Sequence, residues 1–317
     1  SAFASLLIFK MRHGLNLMGQ MKAIKYNTFF FHKIKKLAFS GLFFTVAWII
    51  FYEMDTPFIG KYLGTDDLAI YGIAIVLLAF FRTLLGVFYS PFNIRFNHLI
   101  GLNQMTQLKS FYREIVRTTA SVIVFPILTM VIFAEPIVIS WVGLEYKDSI
   151  EILELLLLIN IFAFISYPTS MLLNSLVRLK ELYIINTLSP FIFWIGVFLT
   201  VNLLGVKSLA IFKVIVFSLT GIYYFYIFKS FIKLSLLSSL KEIIFPLIIP
   251  VIFIIISGKI ILANIQFKQS SWDLLFVGVL VLILIIIAFV IQYFLDKTFQ
   301  KKVKQIFNSL NIQNKIN

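Results

Sequence analysis

The chain has 317 residues, 60% of them hydrophobic and 13% charged, with a mean hydropathy of +0.98 and a formal net charge of +14. Soluble domains are about half apolar and about a quarter charged, so this balance excludes an ordinary soluble domain and predicts a polytopic membrane protein. The sequence has no cysteine, which excludes disulfides, thiolate metal sites and cysteine nucleophiles.

Ala2 to Phe9 is apolar but too short to span, and no basic flank precedes it. It reads as the end of a helix that starts before Ser1, so the chain is expected to be a fragment. Residues 10–36 are basic and polar and read as a linker. Apolar runs then fall at about residues 37–59, 68–92, 118–142, 150–175, 182–204, 208–228, 243–262 and 272–294. The expected fold is all-α, a bundle of about eight transmembrane helices. Strands are excluded by runs such as Leu274 to Ile291, apolar on every face where a barrel strand would alternate. The expected organisation is a helix end (1–9), a linker (10–36), a six-helix lobe (37–228), a connection (229–242), two further helices (243–294) and a basic tail (295–317). The last two helices carry almost no polar residue and are expected to face lipid or a lipidic ligand.

Alternate connections divide the basic residues 21 to 5. One side holds Lys10 to Lys36, Arg95 to Arg117, Arg178 and Lys180, Lys229 to Lys241, and Lys297 to Lys315. The other holds Lys61, Lys147, Lys207, Lys259 and Lys268, while Arg82 and Lys213 fall inside spans. The positive-inside rule makes the first side cytoplasmic, together with both ends of the chain. An excess spread over every cytoplasmic connection needs no nucleic acid to explain it.

No phosphate-binding GxxxxGK[ST] loop, HExxH, GxSxG or metal-spaced His cluster occurs, and His13, His32 and His98 lie far apart. No cofactor or metal is called for. The acidic pairs Glu53/Asp55 and Asp66/Asp67 lack the large hydrophilic loop that a membrane glycosyltransferase or polymerase would need to hold a sugar. The chain is therefore not expected to be an enzyme, with that class kept as the alternative.

Polar residues at bilayer depth are costly unless they face a cavity or a partner. Arg82 sits near the middle of its span, and helical spacing puts Gly86, Tyr89, Ser90, Asn93 and Asn97 on its face. Such a stripe suits a water-filled, anion-attracting groove, or else a structural pair with a neighbouring helix. In the preceding span Gly41, Thr45, Trp48, Tyr52 and Asp55 recur at helical spacing. Asp55 is either an interfacial carboxylate or one that pairs with Arg82 or binds a coupling cation; Glu53 points elsewhere. Lys213 is close enough to its helix end to snorkel. Asn160, Asn174, Asn186 and Asn202 are expected to hydrogen-bond between helices.

The run MDTPFIGKYLGTDDLAIYGIAIVLL (Met54 to Leu78), with Pro91 before a basic connection, FAEPIVISWVGLEYKDSIEILELLLL (Phe133 to Leu158) and LNSLVRLKELYIINTL (Leu173 to Leu188), resembles the second lobe of the MATE-like flippase superfamily. The resemblance covers about residues 30–230 and is nearest to polysaccharide and O-antigen flippases of the Wzx type. It implies two six-helix lobes and transfer of undecaprenyl-pyrophosphate-linked oligosaccharide between leaflets of the bacterial inner membrane. The partners implied are that lipid-linked oligosaccharide, membrane lipids and an N-terminal lobe of the same protein. Arg82, Tyr89, Asn93, Trp48 and Tyr52 would bind substrate and Asp55 would couple an ion. A lipid II flippase or a multidrug exporter is the alternative within the superfamily.

Overall fold

A backbone in lipid has no water to bond, so each crossing must satisfy its own N–H and C=O groups, and a helix does so within one segment. The computed structural model, which describes residues 28–301, 303 and 304, is helical, with no strand among the described residues. Among the described residues twelve α-helices follow in order. They are α1 (Thr28–Trp48), α2 (Asp55–Tyr62), α3 (Thr65–Gly101), α4 (Met105–Ile132), α5 (Ala134–Val142), α6 (Ser149–Leu158), α7 (Ala163–Ser175), α8 (Leu179–Leu204), α9 (Lys207–Ile232), α10 (Leu236–Ile243), α11 (Phe245–Asn264) and α12 (Ser271–Leu295). A π-helical turn, Ile49–Glu53, joins α1 towards α2, and a 3-10 turn, Ile159–Phe162, joins α6 to α7.

Among the described residues seven helices are long and apolar enough to cross a membrane, counting Ser149–Ser175 as one, and an eighth is reached if the bent pair Ala38–Glu53 and Asp55–Tyr62 is one span. The protein is a multi-pass membrane protein. Its chain divides into two compact units, residues 1–48 and 49–317. In the first, α1 is described, and Thr45 Oγ1 donates to the Gly41 carbonyl at 2.9 Å. The helix end expected at 1–9 and most of the linker lie outside the described residues, as does the tail beyond 304. Helix begins at Thr28, within the stretch read as linker.

Within the second unit the boundaries shift where polarity was mistaken for loop. Helix α3 runs on to Gly101 and α4 starts at Met105, so Arg95, Lys109, Arg113 and Arg117 stand on helix extensions beyond the apolar segments. A 37-residue helix is about 55 Å long at about 1.5 Å per residue, well over the roughly 30 Å of a hydrocarbon core. The run 118–142 is not one span. Helix α4 ends at Ile132, and Pro136 in the first turn of α5 has no N–H to offer the Ile132 carbonyl, so a new helix starts. The connection 229–242 contains α10, capped by Ser235, whose hydroxyl accepts from Ser238 N at 3.1 Å.

The broken span α6–α7 is central, packed by α3, α4 and α9. Its residues Ile152, Leu153, Leu156 and Leu157 are buried together with Phe193, Val197, Leu209 and Ala210 from α8 and α9. Without a hydrophobic drive between helices in lipid, close packing and polar contacts do the holding. Helices α8 and α9 approach so closely that a Cβ on Gly196 would stand 2.0 Å from the Phe212 ring. Tyr112 of α4 and Thr169 of α7 share a buried hydrogen bond of 2.6 Å. The asparagines do not bridge helices as expected. Asn186 Nδ2 donates to the Leu182 carbonyl of its own helix, Asn174 and Asn202 are exposed, and Asn160 Nδ2 is buried without a hydrogen bond.

The last two spans pack against α4 and α5 through Phe133, Ile137, Val277, Val281 and Leu284. At the end of the bundle that carries the basic residues, Arg113 grips Glu242 of α10 through Nε and Nη2 at 2.7 and 2.6 Å. Arg117 Nη2 reaches Asp296, just past α12, at 2.9 Å. Two arginines of α4 thus hold α10 and the end of α12.

Candidate functional site

The site is built on the break between the π turn and α2. In the π turn the ladder lengthens to five residues, with Met54 N donating to the Ile49 carbonyl at 3.2 Å. Pro57, in the first turn of α2, has no N–H to donate to the Glu53 carbonyl, so the helix does not run on unbroken. The extra residue breaks the ordinary 3.6-residue spacing between Tyr52 and Asp55, yet both come against Lys213 of α9. Tyr52 is half-buried, whereas Asp55 is wholly buried.

Asp55 does not pair with Arg82. Its Oδ2 lies 2.7 Å from Lys213 Nζ of α9, both side chains being essentially without exposure. Tyr71 of α3 donates its hydroxyl to the same oxygen at 2.5 Å. Lys213 also donates to the Phe51 carbonyl at 3.0 Å and lies 5.2 to 5.4 Å from the ring centres of Phe51, Tyr52 and Phe193. Lys213 therefore does not snorkel. A charge buried so deeply is tolerable only with a counter-charge and donors around it, and Lys213 finds a carboxylate, a carbonyl and three aromatic faces. Asp55 Oδ1 is left buried with no hydrogen-bond partner.

Arg82, in the middle of α3, takes the other carboxylate. Its Nη2 stands 3.5 Å from Glu53 Oε1, and its guanidinium lies 5.3 Å from the centre of the Tyr52 ring. Glu53, expected to point away, is thus part of the site. This second pair is open, with side-chain exposures of 31% for Arg82 and 54% for Glu53. One helix break accordingly presents two carboxylates two residues apart, one sealed by Lys213 and one facing outward with Arg82.

The remaining expected residues divide. Tyr52 joins the site, packed edge-on against Phe51 and Phe217. Tyr89 does not line an open groove; it is fully buried and stacked on Tyr167 with ring centres 4.8 Å apart. Asn93 is exposed, as are Gly86, Ser90 and Asn97, so the polar stripe survives without its tyrosine. Trp48 ends α1 in the first compact unit. Lys213 and Tyr71 are the residues that sequence reasoning missed as partners of Asp55. The available signal was depth, since Lys213 near the start of α9 and Asp55 near the end of its span lie towards the same side of the membrane. Among the described residues no group of three or more His, Asp or Glu side chains could hold a metal ion.

A half-buried guanidinium beside an aromatic ring at mid-helix, with a buried ion pair close by along the chain, can attract and orient an anion. No family model, curated protein or solved structure matches the chain.

Proposed function

We propose that the protein is a lipid-linked oligosaccharide flippase of the bacterial inner membrane, with both ends cytoplasmic, moving an undecaprenyl-pyrophosphate-linked sugar unit from the inner to the outer leaflet. The observation that carries this reading is Arg82, a half-buried cation in the middle of the long apolar helix α3. A charge at that depth is costly in lipid and useful in a polar groove. The pyrophosphate would exchange with Glu53 for the guanidinium, Tyr52 would pack against a sugar face, and Asn93 would meet polar groups further along α3. The polyprenyl tail would stay in lipid beside α11 and α12. The family resemblance supports the same assignment and calls for a second lobe across the groove.

A drug exporter for organic cations is less well supported, because Asp55 and Glu53 are both engaged by cations of the chain. Ion coupling through Asp55 would have to work by exchange with Lys213.

The test is surface polysaccharide in a flippase-deficient strain carrying the native gene. Arg82→Ala should abolish rescue with the protein still folded in the membrane, and Arg82→Lys should restore part of it, since Lys keeps the charge but not the bidentate fork. Normal rescue by Arg82→Ala would refute the proposal.

A further inference from the structure

Far from Asp55, at the end of the bundle that carries the basic residues, the start of α4, the turn between α7 and α8 and the last turns of α9 enclose a cavity of about 490 Å³. Lys109, Arg178, Tyr223, Tyr226 and Ser230 line it, with Phe231 closing one wall. Tyr223, Tyr226 and Ser230 follow one another at helical spacing on one face of α9. Glu181 also borders the cavity and is ion-paired with Arg178. Lys109 Nζ lies 5.6 Å from the Phe231 ring centre, and Lys229 Nζ lies 5.5 Å from that of Tyr226. Among the described residues neither lysine forms an ion pair. The cavity thus holds a surplus of positive charge beside three hydroxyl groups, which is the chemistry of phosphate recognition.

From this cavity an exposed apolar stripe runs down α9 towards the membrane interior. Tyr226, Ile222, Leu219 and Ile215 are all exposed and spaced by four, three and four residues, which places them on one face. A polar, cationic mouth continuous with an apolar track fits a molecule with a phosphate at one end and hydrocarbon at the other.

We propose that this cavity binds the headgroup phosphate of an anionic phospholipid, with its acyl chains lying along the Ile215–Tyr226 stripe. Basic pockets between transmembrane helices on the cytoplasmic side are suited to acidic headgroups. The assignment requires only that the chain spans a membrane, and it stands or falls independently of the flippase reading.

The purified 317-residue chain is placed in mixed micelles of phosphatidylcholine and phosphatidylglycerol, and the lipid retained is counted by native mass spectrometry. Phosphatidylglycerol should be retained in preference. The double variant Lys109→Gln/Arg178→Gln should weaken retention about twenty-five-fold, at a factor of about five for each charge removed. Lys147→Gln/Lys268→Gln, which removes equal charge at the opposite end, should leave it unchanged. Tyr223→Phe/Ser230→Ala keeps every charge and should still weaken retention several-fold, which keeps the test open if the basic double variant fails to fold. Equal retention of the two lipids, or retention undiminished in that hydroxyl variant, overturns the proposal. Displacement of the lipid by millimolar inorganic phosphate also overturns it and assigns the cavity to free phosphate.

Discussion

Lys213→Met should destabilise the fold far more than the loss of one exposed ion pair would. Nζ and Oδ2 are 2.7 Å apart with side-chain exposures of 0% and 1%, so removal of the ammonium leaves the Asp55 carboxylate buried with only the Tyr71 hydroxyl for company. Breaking a buried pair from one side costs about 3–5 kcal/mol, while neutralising both partners is close to neutral. Asp55→Asn alone should cost a similar amount, because Lys213 would keep only the Phe51 carbonyl and the faces of Phe51, Tyr52 and Phe193. The double variant Asp55→Asn/Lys213→Met should recover most of the loss, since the amide can still accept from Tyr71. Denaturant unfolding of the purified chain in micelles, followed by circular dichroism, reads all four members of the cycle. If the pair only staples α2 to α9, the double variant recovers polysaccharide rescue along with stability. If Asp55 couples an ion, stability returns and rescue does not. Single variants within about 1 kcal/mol of the parent, the range of an exposed pair, would refute the reasoning.

Val177 holds φ +56 at 63% exposure, closing α7 with Arg178 N donating to the Leu173 carbonyl. A β-branched residue is strained there, so Val177→Gly should stabilise by about 1 kcal/mol in the same unfolding assay. Gly196→Leu would drive a side chain into Phe212, already 2.0 Å from the position of a Cβ, and should lower stability by about 1–3 kcal/mol or prevent accumulation in the membrane. Glu242→Gln should cost about 1–2 kcal/mol, because it ends a two-point grip by Arg113, whereas Glu181→Gln should fall within about 1 kcal/mol of the parent. A cysteine at Gln107 should be shielded from an impermeant thiol reagent added outside cells, and ones at Thr65 and Gln269 should react; labelling at Gln107 would reverse the orientation.

The spans were legible because a bilayer demands about 20 apolar residues in a row, and composition alone reports that. Their ends were less so. Arg95 and Arg113 look like loop residues by polarity, yet a helix can run several turns past the hydrocarbon without any cost in unmet hydrogen bonds. Arg82 was legible as an anomaly, since its depth follows from counting along the apolar run. Its partner was not, because partner choice depends on rotation about the helix axis, and the π turn at Ile49–Glu53 departs from the 3.6-residue spacing just where Glu53 and Asp55 lie. Spacing at 3.6 residues per turn puts Arg82, Ser90, Asn93 and Asn97 along one side of α3, but it does not say which carboxylate at the turn meets Arg82 and which meets Lys213. Tyr89 failed for another reason. Polarity at a hydroxyl placed it with Arg82, but the ring's apolar area decided its burial against Tyr167.

The two carboxylates at this break have opposite fates, and the difference is what makes Arg82 usable. A buried pair exchanges its partners only at the cost of leaving a charge without solvent, which fixes Asp55 on Lys213 and with it the start of α2 against α9. The outer pair is long at 3.5 Å and largely open, and exposed pairs are worth about 0–1 kcal/mol. An anion that offers the guanidinium a bidentate contact can displace Glu53 at little cost, while Tyr52, held between Phe51 and Phe217, keeps its ring against the arginine. If Lys213 were absent, Arg82 would have two carboxylates close by along the chain and no counter-cation to share them. The sealed pair thus withholds one negative charge from Arg82, whose contact with Glu53 is long and part-exposed, the kind of contact a bidentate anion can replace.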